Sequence, residues 1–217
     1  MKTKMFDYTT VLATLQQIAP EAHIAGGAVR DTILQKQIHD IDVFMKDEHV
    51  EEAAALLRSH WSYVKIGEWK QYLSFSDPAM TRVAKFEKAD ETIPVCIIGL
   101  LPHFASPKDN IARFDFGICM AAFDGKQTMR AVEFDQDEKA RTFTLCRADN
   151  QAQFAYSLSR FEKITAARYT GWSLIVPNDF EELAREYTFR RHWYRDFIKG
   201  FDGESILKPK ERIAAHQ

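Results

Sequence analysis

The sequence predicts an α/β fold, a sheet flanked by helices with a smaller helical region after it, and three observations carry that prediction. A short apolar run, His23-Ile24-Ala25, ends in Gly26-Gly27 and passes into Ala28 to Leu34, whose apolar residues at 29, 33 and 34 have helical spacing. Asp40-Ile41-Asp42-Val43-Phe44 then alternates polar and apolar with period two, the pattern of a strand with one buried face. From Asn150 onward strand signals fade, and 151–169 and 179–201 read as long, charged, aromatic-rich helices.

The remaining elements follow in order. Val11, Leu12, Leu15 and Ile18 lie at helical spacing within 9–19, and Pro20 stops the pattern. Residues 48–59 are rich in strong helix formers, with acids in the first turn and Arg58 near the end, which suits the helix dipole. Between 61 and 100, aromatic and β-branched residues broken by turn signals such as Ser76-Asp77-Pro78 predict strands near 62–66, 71–75, 81–87 and 92–99. Ser106-Pro107-Lys108-Asp109 reads as an N-cap with proline at the first helical position, opening a short helix to about Phe114. Phe116 to Ala122 is a compact apolar segment, and 127–146 reads as a strand pair around a polar turn at Asp135-Gln136-Asp137-Glu138. The best division of the chain falls near 148: a first domain over 1–148, a helical region over 149–201 and a loosely ordered tail over 202–217.

A length of 217 residues allows one large domain or a core domain with an appendage. With 46% hydrophobic and 28% charged residues the chain can bury a sizeable core, which excludes global disorder. Twenty-nine basic against thirty-one acidic residues give a net charge of −2, so any nucleic-acid contact is local and not the work of a global positive field. Cys96, Cys119 and Cys146 lie far apart without a C-x-x-C pair, which fits reduced, buried thiols. The N-terminus breaks into Asp7-Tyr8-Thr9-Thr10 before any apolar stretch of signal-peptide length, and the longest apolar run, Ile93 to Leu101, is too short to cross a bilayer. A cytoplasmic protein with no membrane partner is the expectation. The seven histidines show no metal-ligand spacing, which argues against zinc, and His39 beside Asp40 reads as a supporting residue.

The chemistry concentrates in His23 to Asp31 and, nine residues on, Asp40-Ile41-Asp42. Two glycines between a strand and a helix let backbone approach a ligand closely, with oriented N–H groups for a phosphate. Arg30 adds a bidentate donor. Asp40 and Asp42, one residue apart on a strand, project to the same side and suit a divalent cation through hard oxygen ligands. Each half alone has commoner explanations in packing and solvated strand ends.

Together, Gly26-Gly27-Ala28-Val29-Arg30-Asp31 and Asp40-Ile41-Asp42 resemble the head domain of the class II poly(A) polymerase and CCA-adding tRNA nucleotidyltransferase family, of the polymerase-β-like superfamily. Arg113-Phe114-Asp115-Phe116-Gly117-Ile118-Cys119-Met120-Ala121 is similar to that family's Arg-Arg-Asp-Phe-Thr-Ile-Asn-Ala segment. Arg160 to Trp172 is similar to its basic neck helix, so the resemblance spans about 23 to 174. It implies a mixed sheet flanked by helices followed by a small helical neck. It implies an enzyme that transfers a nucleoside monophosphate from an NTP to an acceptor hydroxyl and releases pyrophosphate, with an RNA 3′ end, tRNA-like, as acceptor. On this resemblance Asp40 and Asp42 are the catalytic carboxylates and hold Mg²⁺ or Mn²⁺, while Gly26, Gly27 and Arg30 cradle the phosphates of ATP or another NTP. Asp31 orients Arg30 or reaches a metal-bound water, Asp115 with Arg113 meets the ribose or Asp115 completes the metal site, and Arg160 and Lys163 face the nucleotide.

The sequence also departs from that pattern. Phe114 stands for the second arginine and Cys119 for the asparagine, which bears on sugar selection. Glu181-Glu182-Leu183-Ala184-Arg185 has the form of a base-selecting acid-acid-x-x-Arg element, yet an exposed helix face with ordinary ion pairs looks the same and is commoner. The segment 185–199 interleaves five basic residues with five aromatic ones, as a single-strand binding surface does and as an inward-packed helix does. The same chemistry on a protein or small-molecule acceptor, and a non-catalytic nucleotide-binding module, are the alternatives.

Overall fold

The computed structural model describes residues 6–61, 64–69, 77–88 and 91–188. They divide into two compact units, one drawn from 1–113 and 119–131, the other from 114–118 and 132–217.

The first unit is built on a seven-stranded mixed sheet. Its elements are α1 (Phe6–Leu15), β1 (His23–Ala25), α2 (Gly27–Ile33), β2 (Ile41–Lys46), α3 (Val50–Trp61), β3 (Val64–Trp69), β4 (Met80–Lys88), β5 (Glu91–Leu100), α4 (Pro107–Ile111), β6 (Ala121–Phe123) and β7 (Thr128–Arg130). The strand order is β3-β4-β5-β2-β1-β6-β7. Only β2 and β5 run parallel, and every other neighbouring pair is antiparallel. A parallel pair needs a long crossover, which α3 and the β3–β4 hairpin supply here. The centre of the sheet is covered on both faces, since Val43, Phe44 and Met45 are buried in succession on β2 and Val95, Ile97 and Ile98 on β5. On α3, Ala53, Ala54 and Leu57 form the buried stripe and the helix lies against β5.

Most of the expected elements are present with shifted ends. α1 begins before residue 9 and closes at Leu15, β2 starts one residue after Asp40, and Ser106 caps α4 by accepting from the Asp109 N–H at 3.1 Å. The strand expected at 71–75 lies outside the described residues.

The second unit holds α5 (Val132–Ala140), β8 (Thr142–Thr144), α6 (Gln151–Ala167), β9 (Ser173–Ile175) and a helix, α7, over 181–188. The hairpin expected over 127–146 is not formed. Residues 132–140 are helical, and β8 pairs in parallel with β9 instead of with β7. The cause is Asp137, which the sequence reading placed in a polar turn. It is 1% exposed and lies one turn from the buried Phe134, so the acid-rich segment has an inward face. Its carboxylate accepts from Ile118 N at 2.8 Å, Thr142 Oγ1 at 2.7 Å, Thr144 N at 3.0 Å and Thr144 Oγ1 at 2.5 Å. Asn150 caps α6, accepting from Gln153 N at 3.0 Å. Phe143 on β8 is fully buried at the centre of an aromatic cluster, edge-on to Phe116, Phe161, Tyr169 and Trp172 at 5.4–5.7 Å between centroids. Residues 189–201 and the tail over 202–217 lie outside the described residues. Among the described residues no helix is long and apolar enough to cross a membrane.

Candidate functional site

Gly26 and Gly27 link β1 to α2. Gly26 has φ 78° and ψ −130°, a conformation that a side chain opposes sterically, and its N–H donates to Ala121 O at 2.9 Å while its carbonyl accepts the first helical bond from Arg30 N at 3.0 Å. The residue thus finishes a strand and starts a helix at once.

The register of the sheet brings this turn beside the carboxylates. β1 and β2 are antiparallel with His23 opposite Phe44 and Ile24 opposite Val43. Continued by one residue, that register sets Ala25 against Asp42, so the glycines and the Asp40–Asp42 pair share one end of the sheet. Asp40 precedes β2 and is exposed, with no ion pair among the described residues; Asp42 lies on the strand, half-buried between the buried Ile41 and Val43. On the other side of β2, Cys96 of β5 is the register partner of Asp42. Burial, and then the negative charges of Asp42 and Asp40, push the Cys96 thiol well above its ordinary range, so it stands beside the carboxylates in its neutral form.

The two carboxylates are hard oxygen donors, and the neutral Cys96 thiol beside them is not a metal ligand. Among the described residues no cluster of three or more His, Cys, Asp and Glu side chains could hold a metal ion. Two carboxylates fit a cation such as Mg²⁺, which takes one or two protein oxygens and shares the rest of its shell with water and substrate phosphates.

Arg30 is turned inward. It is 1% exposed, its Nε donates to Asp31 Oδ1 at 2.7 Å, Nη2 lies 2.6 Å from the same oxygen, and Nη1 donates to Cys119 Sγ at 3.2 Å. Asp31 is equally buried, so the pair meets the requirement that a charge removed from water has a partner. The guanidinium lies beneath the turn, with Nη2 3.8 Å from where a Cβ on Gly27 would stand. Arg113 likewise has neighbours the sequence did not suggest. It pairs with Asp77, and its guanidinium carbon lies 4.4 Å from the Phe104 ring centroid.

In the second unit Asp115 accepts from Arg160 Nη1 at 2.9 and 2.8 Å on its two oxygens and from Ser157 Oγ at 2.8 Å. Lys163, one turn beyond Arg160 on α6, is exposed. The acid-acid-x-x-Arg element behaves as an ordinary helix face, since Arg185 lies 3.5 Å from Glu181 with both side chains more than half exposed. Sequence reasoning did not single out Asp77, Ser157 or Asp137. Short polar residues carry no spacing signal of their own, and their partners are 36 to 42 residues away for the first two.

A family model described as "Gad2: Gabija anti-defense 2 family protein" matches residues 2–140, more than half of the chain. "Gabija anti-defense 2" of Bacillus phage SPbetaL7 is 26% identical over 155 residues, covering 69% of this chain and 34% of that protein. A "CCA-adding enzyme" of Levilactobacillus brevis is 58% identical over 33 residues, 15% of this chain and 8% of that enzyme. Among solved structures, a CCA-adding enzyme in complex with ATP superposes with a TM-score of 0.57 at 16% identity, over 90% of this chain and 44% of that one. A tRNA-processing enzyme in its apo form I gives 0.56 at 20%, over 87% and 49%. At these identities the likeness is one of fold, and the chain spans under half the length of each of these proteins.

Proposed function

The chain belongs to the Gabija anti-defense 2 family, and from that premise and its CCA-adding-enzyme-like fold we propose that it is a divalent-metal-dependent nucleotidyltransferase, moving a nucleoside monophosphate from an NTP to an acceptor hydroxyl. The observation that carries the proposal is the register that sets Asp40 and Asp42 beside the Gly26-Gly27 turn. In this reading residues 1–148 act as the catalytic head and 149–201 as the neck.

Asp40 and Asp42 are the residues that would hold Mg²⁺ or Mn²⁺, and that ion, when bound, would acidify the acceptor hydroxyl and offset triphosphate charge. The acceptor oxygen bonds to the α-phosphorus and gives up its proton to solvent, the bond from the α-phosphorus to the α,β-bridging oxygen breaks, and pyrophosphate leaves with that electron pair. The two glycines, without side chains, let the triphosphate approach the backbone. Arg30 acts from beneath, holding the turn through Asp31 and lending its charge to the phosphates. The neutral Cys96 thiol, the register partner of Asp42, packs beside that strand position without competing for the cation. Arg113, paired with Asp77, supports the loop before β4, and in the second unit Asp115 holds Arg160 in place on α6.

An RNA 3′ end is the favoured acceptor, by likeness of fold to a tRNA-processing enzyme. The family description favours a second version in which the same chemistry modifies a protein or small-molecule component of a defence system. The test is incubation with Mg²⁺ or Mn²⁺ and each α-labelled NTP in turn, with total RNA, total protein and small-molecule metabolites as acceptors, beside Asp40→Asn/Asp42→Asn. Label entering RNA and lost in the double variant is the expected result, label in protein or in added small-molecule metabolites selects the second version, and no incorporation into any of the three overturns the proposal.

A further inference from the structure

The outer face of α6 carries Tyr156, Arg160 and Lys163 at i, i+4 and i+7, one stripe with a rise of about 5.4 Å per turn. Phe154, Ala155, Ser157, Leu158, Ser159 and Phe161 are buried, yet Tyr156 on the same helix is 37% exposed. Its ring sits 5.9 Å from the Arg160 guanidinium carbon, within cation–π range. Arg160 is itself held: both oxygens of Asp115 accept from it, and Ser157 holds Asp115 in turn. Lys163 is exposed and makes no ion pair among the described residues. The line 156, 160, 163, 167 holds no acid.

An exposed aromatic face, a guanidinium fixed beside it and an ammonium a turn away are the parts of a stacking platform with phosphate contacts. Free nucleotides are taken up in concave pockets, whereas this is the convex face of a helix, which suits a base presented by a strand. Such a platform needs an unpaired base, because a duplex hides the base faces within its own stack.

We propose that this stripe is a contact site for single-stranded RNA, with one base stacked on Tyr156 and adjacent phosphates on Arg160 and Lys163. It deepens the proposed function and rests on its reading of RNA as the acceptor. Arg160 serves as the anchored half of the platform, and Asp115 and Ser157 are positioning residues that keep it there.

The test is fluorescence anisotropy with a labelled single-stranded oligoribonucleotide and the full chain. Tyr156→Ala is expected to weaken binding about 10-fold or more, since losing one base–aromatic stack has that effect, at an unchanged melting temperature. Tyr156→Phe, which keeps the ring, binds like the parent. Lys163→Gln lowers the slope of log affinity against log salt by about 0.7, one phosphate contact to a single strand. Asp40→Asn/Asp42→Asn retains RNA binding without transfer, so Tyr156-dependent binding by a parent chain that shows no transfer defeats the catalytic reading and leaves this site standing. The site is overturned by absence of RNA binding in the parent, by unchanged affinity in Tyr156→Ala, or by equal loss in the Phe and Ala variants. It is also overturned if duplex RNA competes as well as single-stranded RNA, or if Tyr156→Ala loses ATP binding while RNA affinity stays.

Discussion

Arg160 places a single guanidinium nitrogen against both carboxylate oxygens of Asp115, at 2.9 and 2.8 Å, while the Ser157 hydroxyl donates to one of them at 2.8 Å. With the Arg160 side chain 36% exposed, solvent screens the pair and its contribution to stability is about 1 kcal/mol or less. Asp115→Asn is therefore expected to move the melting temperature by only a few degrees, while lowering RNA affinity several-fold because the arginine is no longer held beside Tyr156. Calorimetry and anisotropy on the same sample check both halves.

The turn beside the carboxylates gives a second prediction. Gly26 sits at φ 78°, ψ −130°, where a β-carbon is strained by about 1–3 kcal/mol. Gly26→Ala should lose stability of that order in urea titrations and lose NTP binding with it, while Gly171→Ala, also at positive φ but with no atom within 4 Å of an added Cβ, should keep NTP binding.

Asp137 predicts a larger loss. Its carboxylate accepts from two backbone N–H groups and two threonine hydroxyls, and Asp137→Ala strands all four donors, at an expected cost of about 3–5 kcal/mol. Gly117→Ala attacks the same joint, since an added Cβ would stand 2.8 Å from Asp137 Oδ2 and 3.1 Å from the Glu133 carbonyl oxygen. Both should show as reduced urea midpoints, and a parent-like midpoint for Asp137→Ala would remove Asp137 as the organiser of α5 and β8.

His23 makes stability depend on pH. The ring is fully buried, its Nδ1–H donates to the Glu21 carbonyl at 3.0 Å, and Nε2 accepts from Asn110 Nδ2 at 3.0 Å. Burial holds its pKa below 6.5, outweighing the Glu21 carbonyl and charge, which act in the opposite direction. At pH well above 6.5 the imidazole is neutral in both folded and unfolded chains. As pH falls below 6.5 the unfolded chain takes up a proton that the folded chain refuses, so stability declines with a slope of at most about 1.4 kcal/mol per pH unit. Urea midpoints at pH 7.5 and 5.5 measure this, and the contribution from this site should vanish in His23→Gln.

The thiols should be inert in the native protein. Burial raises both Cys96 and Cys146, the latter to about 12, and Cys119 is 2% exposed. A chromogenic disulfide reagent at pH 8 should leave all three cysteines unreacted in the folded protein and titrate all three in denaturant.

Much of the fold was legible because it rests on local rules. The strand, glycine pair and helix over 23–33, the cap at Ser106 and the acid-led helix of α3 each announce themselves within a few residues. The failure at 132–140 is instructive for the same reason. Asp135, Gln136, Asp137 and Glu138 have turn composition, and only distant partners, Ile118 on one side and Thr142 and Thr144 on the other, make one of those acids an inward-facing acceptor. Arg30 and Arg113 were recognisable as motif residues, but their neighbours were not, because Cys119 and Asp77 reach them across the fold and not along the chain.

The sequence by itself determined the α/β class, the carboxylate pair at 40 and 42 and the glycine turn, since periodicity two, glycine freedom and charge type are properties of the residues and their immediate neighbours. The tertiary structure decided that β1 and β2 run side by side so that turn and carboxylates meet, that Cys96 stands against Asp42, and that Asp115 holds Arg160 beside Tyr156. Those relationships join residues up to 54 positions apart, from Asp42 to Cys96. Strand register and side-chain packing fix such contacts, and both are set by the burial of the whole core, which no local stretch encodes.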